Sequence, residues 1–214
     1  MVSSAVKKYA ALCMVCLCSS LFFLGLYQFN NKYSQNTIQA ANGILALSEE
    51  ELQKSPVRFL VSGWAFYPDA LLTPEEIRDE SHYMRYLSIG EHTNFSSPAN
   101  PSPYGCGTYQ MTFFLPERKE TYALEIPEVF SAYNLYLDHD LILQMGEPAQ
   151  GTPLVQNRMV TFHGGKPVTL TIAVSNYDHF YGGIVYPPAF GTMLAVNTTR
   201  GIRFAFCLFS CTVT

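Results

Sequence analysis

The stretch Ser175–Gly191, SNYDHFYGGIVYPPAFG, gathers more chemically capable side chains than any other part of the chain. Its Asp178-His179 pair is half of a proton-transfer or metal-binding arrangement, since imidazole needs an orienting carboxylate for either task. Adjacent residues on a strand point to opposite faces, and adjacent loop residues converge only sometimes, so a third ligand or a nucleophile has to come from elsewhere. No Gly-x-Ser-x-Gly elbow, His-Glu-x-x-His helix, phosphate-binding glycine loop or calcium loop occurs in the sequence. Asp138-His139-Asp140 invites the same question, but it lies between Tyr136-Leu137 and Leu141-Ile142-Leu143, where acidic and polar residues are what a hairpin turn favours. Glycoside hydrolysis needs two carboxylates facing each other across a cleft, and the 17 acidic residues single out no such pair. The expectation is therefore no catalytic residue, no metal site and no cofactor.

Holding a ligand fits the same residues better. Tyr177, His179 and Tyr181 supply flat faces with polar tips, and Gly182-Gly183 lets a backbone approach closely or take positive φ. The Asn176 amide either closes the turn or reaches a ligand. A long connection packed down by its own aromatics is the structural alternative. Trp64 alternates with Phe66 along SGWAFYP and is expected in the core, which turns Tyr67 to the opposite face. The candidate ligand-binding residues are thus Tyr67, Asn176, Tyr177, His179, Tyr181, Gly182 and Gly183.

Strands must position them. From Gly107 onward the apolar residues alternate: Tyr109, Met111, Phe113 and Leu115, then Tyr122, Leu124 and Ile126, then Tyr133, Leu135 and Leu137, then Val168, Leu170, Ile172 and Val174. Pro116, Pro127, Pro148 and Pro153 fall between strands, and Gly164-Gly165 reads as a hairpin turn. Ser48 with Glu51, and Thr73-Pro74-Glu75-Glu76, read as capping boxes of short helical turns. Many short strands at turn spacing predict an all-β fold, a jelly-roll or galactose-binding-like β-sandwich. The 48% apolar content of 214 residues is enough for one core. Net charge is −4 with no basic block, so nucleic acid is not an expected partner.

Ala10 to Phe29 is an uncharged apolar run behind Lys7 and Lys8, long enough to cross a bilayer. The preferred reading of residues 1–31 is a cytoplasmic stub and single N-terminal transmembrane anchor, with a cleaved signal peptide as the competitor; both leave the lysines inside and export the rest. Residues 32–42 read as a linker. Of six cysteines, Cys13, Cys16 and Cys18 lie in the apolar run, Cys207 and Cys211 lie near the end, and Cys106 alone belongs to the body, which excludes a disulfide-stapled scaffold. The apolar tail from Phe204 to Val213 reads equally as a final core strand or as the start of a membrane helix.

Taken in order, several stretches carry a family resemblance: Gly43-Ile44-Leu45-Ala46-Leu47-Ser48, Val61-Ser62-Gly63-Trp64-Ala65-Phe66-Tyr67, Leu71-Leu72-Thr73-Pro74, Gly107-Thr108-Tyr109, Leu115-Pro116, Ala132-Tyr133-Asn134-Leu135-Tyr136-Leu137, Gly146, Val174-Ser175-Asn176, Gly182-Gly183 and Gly191. They resemble the extracellular sensor domain of bacterial seven-transmembrane receptors with diverse intracellular signalling modules. That domain is a jelly roll similar to the carbohydrate-binding domain of family 2 glycoside hydrolases. The resemblance covers residues 43–195; Asp138-His139-Asp140 stands where the family carries an Asn-Gly-like turn. It implies a non-enzymatic, extracytoplasmic sensor in a bacterial cell membrane, binding a carbohydrate or other small ligand. It also implies that residues 196–214 are a juxtamembrane segment and a truncated start of a transmembrane helix, ahead of an output module. A surface-tethered carbohydrate-binding module without signalling is the alternative, an anchored hydrolase a more distant one. The open sandwich edge leaves room for a homodimer.

Overall fold

The structure, a computed structural model, describes residues 4–34, 37–79, 81–90, 95 and 102–212. The chain divides into two compact units, Met1–Ser34 and Gln35–Thr214. The first is helix α1 (Ser4–Asn30), apolar on every side because its sequence offers no polar face. Its segment Val6–Asn30 has 25 residues and contains an 18-residue stretch of mean hydropathy 2.1, which by length and composition suits a membrane anchor or a signal sequence. The Asn31 side chain ends it by accepting hydrogen bonds from the backbone N–H groups of Tyr33 and Ser34.

The second unit runs β1 (Ile44–Ala46), α2 (Glu49–Lys54), β2 (Val57–Phe59), β3 (Trp64–Pro68), α3 (Pro74–Asp79), β4 (Arg85–Leu87), β5 (Gly105–Phe114), β6 (Tyr122–Ile126), β7 (Ala132–Leu137), β8 (Asp140–Met145), β9 (Arg158–Phe162), β10 (Val168–Asn176), β11 (Ala189–Thr192) and α4 (Met193–Thr212). Two sheets form a sandwich. One has the order β4-β3-β5-β10-β7-β8, with β1 lying parallel to β5 beside β3; the other has the order β2-β11-β6-β9. Antiparallel ladders link every other pair of neighbours.

The alternating residues form the layer between the sheets. Met111, Phe113, Leu124, Ile126, Tyr133, Leu135, Leu170, Ile172 and Val174 are fully buried. Phe190 of β11 stacks on Phe113 at 5.1 Å between ring centroids and on Tyr122 at 5.8 Å, so the two sheets meet through aromatic faces. Trp64 and Phe66 are buried as their alternation predicts, and the Trp64 indole N–H donates to the Leu60 carbonyl at 3.0 Å. Both capping boxes form: Glu51 accepts from the Ser48 N–H at 2.6 Å and Glu76 from the Thr73 N–H at 2.7 Å. Each starts a helix of six residues, because no apolar stripe follows to extend it.

Two expectations need correction. Gly164-Gly165 is not a hairpin turn: β9 pairs with β6 in one sheet, while β10 pairs with β5 and β7 in the other, so these glycines carry a crossover. A side chain on Gly164 would collide with the Pro116 carbonyl, and the Gly165 N–H donates to the Leu115 carbonyl at 3.0 Å. That close passage over the end of β5, rather than strand reversal, is what requires glycine. The body is also not purely β, since α4 occupies 20 residues. Of the two readings of the tail, the structure takes the helix; its side chains beyond Phe206 lie outside the described residues, as do Val213 and Thr214. Helix α4 begins at Met193, ahead of the boundary expected at 195, and packs its first turns on the outside of the smaller sheet. There Arg203 lies 5.0 Å from the Phe59 ring centroid and Arg200 lies 3.6 Å from Glu125.

Candidate functional site

One end of the sandwich collects four connections, and the residue that joins them is Asn176. It is the last residue of β10, paired with Gly105 of β5, and it is fully buried. Its Nδ2 donates to the carbonyls of Pro103 at 2.8 Å and His179 at 2.6 Å, and its Oδ1 accepts from the His179 N–H at 3.1 Å. The amide is thus engaged in closing the turn and tying it to the segment before β5. One residue earlier, the buried Ser175 hydroxyl donates to the Pro148 carbonyl and brings in the β8–β9 connection.

The glycine pair anchors the other end of the loop. A side chain on Gly182 would strike the Pro103 carbonyl, and one on Gly183, at φ +79°, would strike the Tyr109 hydroxyl. The Gly183 N–H donates to the hydroxyl of Ser131 at 3.0 Å, which adds the β6–β7 connection. Beneath them Tyr109 is enclosed; burial pushes its phenol pKa up to about 12, against a hydrogen bond from the Ile184 backbone. The loop is therefore rigid where it is buried, as a scaffold for exposed groups should be.

Those exposed groups are aromatic. The His179 imidazole stacks flat on Phe130, with centroids 4.7 Å apart and planes 9° from parallel. Tyr181 sits 5.6 Å from His179 and 6.0 Å from Phe130, and Phe180 meets Tyr181 edge-on at 5.5 Å. Phe180 is 73% exposed and Tyr181 45% exposed, so the ring cluster is open to solvent on their side. Tyr177, 49% exposed, lies over Gly151, where a side chain would collide with its ring. The Tyr181 N–H donates to Nδ1 of His179 at 3.0 Å, which assigns the neutral ring's proton to Nε2 and leaves that N–H as a donor.

Six of the seven sequence candidates, Asn176, Tyr177, His179, Tyr181, Gly182 and Gly183, therefore share this rim. Tyr67 does not join their ring contacts. It stands on the outer face of the larger sheet, opposite Thr108, with its ring edge-on to His82 at 6.5 Å; burial and then the neighbouring Tyr86 raise its pKa. Sequence reasoning missed Phe130 and Gly151, whose only signal was a phenylalanine and a glycine in connections bounded by proline. Asp178 is exposed, and among the described residues no group of three His, Cys, Asp or Glu side chains could hold a metal ion. Asp138-His139 forms the β7–β8 hairpin turn, with Asp138 at φ +55° accepting from the Thr169 N–H and His139 bonded to Glu75 at 2.9 Å. Asp138 and His139 are thus accounted for by turn chemistry.

No family model and no curated protein sequence matches the chain. Solved structures do match in fold. A glycosyl hydrolase family 2 member from Bacteroides cellulosilyticus aligns with a TM-score of 0.51 at 11% identity, over 64% of this chain and 21% of that one. A β-glucuronidase from Faecalibacterium prausnitzii aligns with a TM-score of 0.48 at 16% identity, over 64% of this chain and 32% of that one. The chain thus spans between a fifth and a third of the length of these proteins, and what it shares with the Bacteroides cellulosilyticus protein is a β-sandwich fold.

Proposed function

We propose that Gln35–Thr214 is a carbohydrate-binding domain, held outside a bacterial membrane by α1, that serves as the sensory part of a receptor rather than as an enzyme. The observation that carries the binding role is the rim of Phe130, His179, Phe180 and Tyr181: a cluster of aromatic rings, with Phe180 and Tyr181 exposed, on a loop whose buried residues are hydrogen-bonded or sterically locked. Pyranose rings present apolar C–H faces that suit aromatic planes, and the Nε2–H of His179 adds a donor for a sugar oxygen beside them. The β-sandwich likeness to family 2 glycosyl hydrolases agrees with this reading.

The sensory part rests on α4. The helix follows β11 without a linker, and β11 lies between β2 and β6, so a shift of that strand would move the helix directly. Open surface clefts of about 520 and 630 Å³ flank its first turns, one beside Thr121 and one beside Phe59. A tethered module without signalling would not need this direct junction.

The test is binding of the full chain, in detergent micelles, to a broad panel of neutral and acidic oligosaccharides, alongside Tyr181→Ala. Binding that Tyr181→Ala abolishes, while its melting temperature stays near that of the parent, supports the reading. Absence of binding across the panel, or binding indifferent to Tyr181, refutes it.

A further inference from the structure

We infer that the aromatic rim faces the bilayer and that the glycan it holds is the headgroup of a membrane glycolipid rather than a free sugar. The inference rests on the carbohydrate reading above and adds the ligand's source to it. Strand direction identifies the two ends of the sandwich. At the rim end β10 finishes and β5 begins, since Asn176 pairs with Gly105. There too β6 finishes and leads through residues 127–131 to Phe130, and β11 starts after the rim loop. Helix α4 starts at the opposite end, where the Met193 N–H donates to the Thr121 carbonyl at 3.0 Å and Thr192 pairs with Tyr122. It then runs back along the outside of the smaller sheet. Arg200 reaches Glu125 at 3.6 Å and Arg203 lies over Phe59, and both Glu125 and Phe59 pair with Ala189, the first residue of β11. By Arg203 the helix is therefore level with the start of β11, and the residues from Phe204 to Thr212 carry it about 13 Å further in the direction of the rim.

The helix and the connections that emerge at that end are both apolar. On α4, Ile202 and Phe204 are exposed, and no charged residue follows Arg203. On the connections, Tyr104, Tyr177, Phe180, Tyr181 and Tyr186 are exposed. The far end is charged instead: the β5–β6 connection carries Glu117, Arg118, Lys119 and Glu120 in succession, and the β7–β8 hairpin adds Asp138 and Asp140. Aromatic rings settle at the boundary between headgroups and acyl chains, whereas dense mixed charge stays in water. With α1 long and apolar enough to cross a bilayer, the end that presents rings beside an apolar helix is the end that meets it. Glu128, Glu147 and Asp178, on the connections at this end, fit the hydrated headgroup layer. A sugar at that depth is one attached to a lipid.

The experiment uses the full chain reconstituted in phosphatidylcholine vesicles. Two variants, Phe180→Trp and Lys119→Trp, place an indole at an exposed position of each end, with buried Trp64 as a common background. The expected result is a blue shift and loss of the added emission for Phe180→Trp when the lipid chains are brominated, and neither for Lys119→Trp. In the parent chain, β-glucosyl or β-galactosyl diacylglycerol in the same vesicles should protect residues 177–188 from hydrogen exchange at a bulk concentration about a hundredfold below that required of the corresponding methyl glycoside, because sharing one bilayer raises the effective concentration. Quenching of Lys119→Trp instead of Phe180→Trp, quenching of neither, or protection at equal concentrations of the two sources overturns the inference. The carbohydrate reading survives each of those results if methyl glycosides bind and Tyr181→Ala abolishes their binding. If Phe180→Trp is quenched while neither glycolipid nor methyl glycoside protects the loop, the carbohydrate reading itself falls, and the glycolipid assignment with it.

Discussion

Replacing Asn176 with alanine should destabilise the whole sandwich as well as its rim. The side chain is fully buried and makes three hydrogen bonds, to the Pro103 carbonyl, the His179 carbonyl and the His179 N–H. At about 1 kcal/mol net for each bond, the loss is about 3 kcal/mol, and buried backbone groups left unpaired raise it rather than lower it. For a domain of this size that is a fall in melting temperature of about 6–12 °C. Asn176→Asp is the sharper variant. It keeps the oxygen that accepts from His179, but turns both donated bonds into an acceptor facing carbonyls, which disfavours the charged carboxylate and raises its folded-state pKa above the unfolded value of about 3.9. Stability of this variant is therefore fully present below the unfolded pKa and lost as pH rises through the folded one. Thermal and urea unfolding can be followed through Trp64, the only tryptophan and fully buried, with limited proteolysis reporting on residues 177–188. Should Asn176→Ala melt within about 2 °C of the parent and resist protease equally, the account of the rim as held by this amide is wrong.

Tyr133 is fully buried and its hydroxyl has no hydrogen-bond partner among the described residues, so Tyr133→Phe should raise stability by about 1 kcal/mol in urea titration; a loss of stability would reveal an unrecognised partner. Burial pushes the phenols of Tyr109 and Tyr133 each up to about 12. Both groups stay neutral when folded, so their contribution is intact below pH about 10 and is lost as pH rises towards 12, by up to about 3 kcal/mol each. Unfolding measured between those limits should show this fall, and Tyr133→Phe should make it shallower. Phe190→Ala removes the ring shared by Phe113, Tyr122 and Phe162 and should cost about 3–5 kcal/mol, read as a lower urea midpoint; a cost below 1 kcal/mol would mean that the two sheets do not meet through this ring.

Much of the fold was legible because a sandwich writes itself into a period of two. Each of the runs beginning at Tyr109, Tyr122, Tyr133 and Val168 buries the face that its alternation marks, and both capping boxes start the short helices that local hydrogen bonding requires. Gly164-Gly165 was misread because a positive-φ glycine serves a tight turn and a close crossover alike, and only the partner strands tell them apart. The helical tail was ambiguous because an apolar run of ten residues satisfies a buried strand and a helix equally well.

The candidate loop was found from composition, since aromatic, amide and glycine residues crowded after a strand are a local signal. Composition could not assign their work. That Asn176 is consumed by the turn, that Phe130 lies under His179 and that Tyr67 joins a different face are all consequences of connections far apart in sequence being brought to one end of two sheets. Alternation and capping act between residues a few positions apart and so are written in the chain itself, whereas ring stacking, buried hydrogen bonds and the summed charge of a surface depend on distances through space that exist only once the strands have paired.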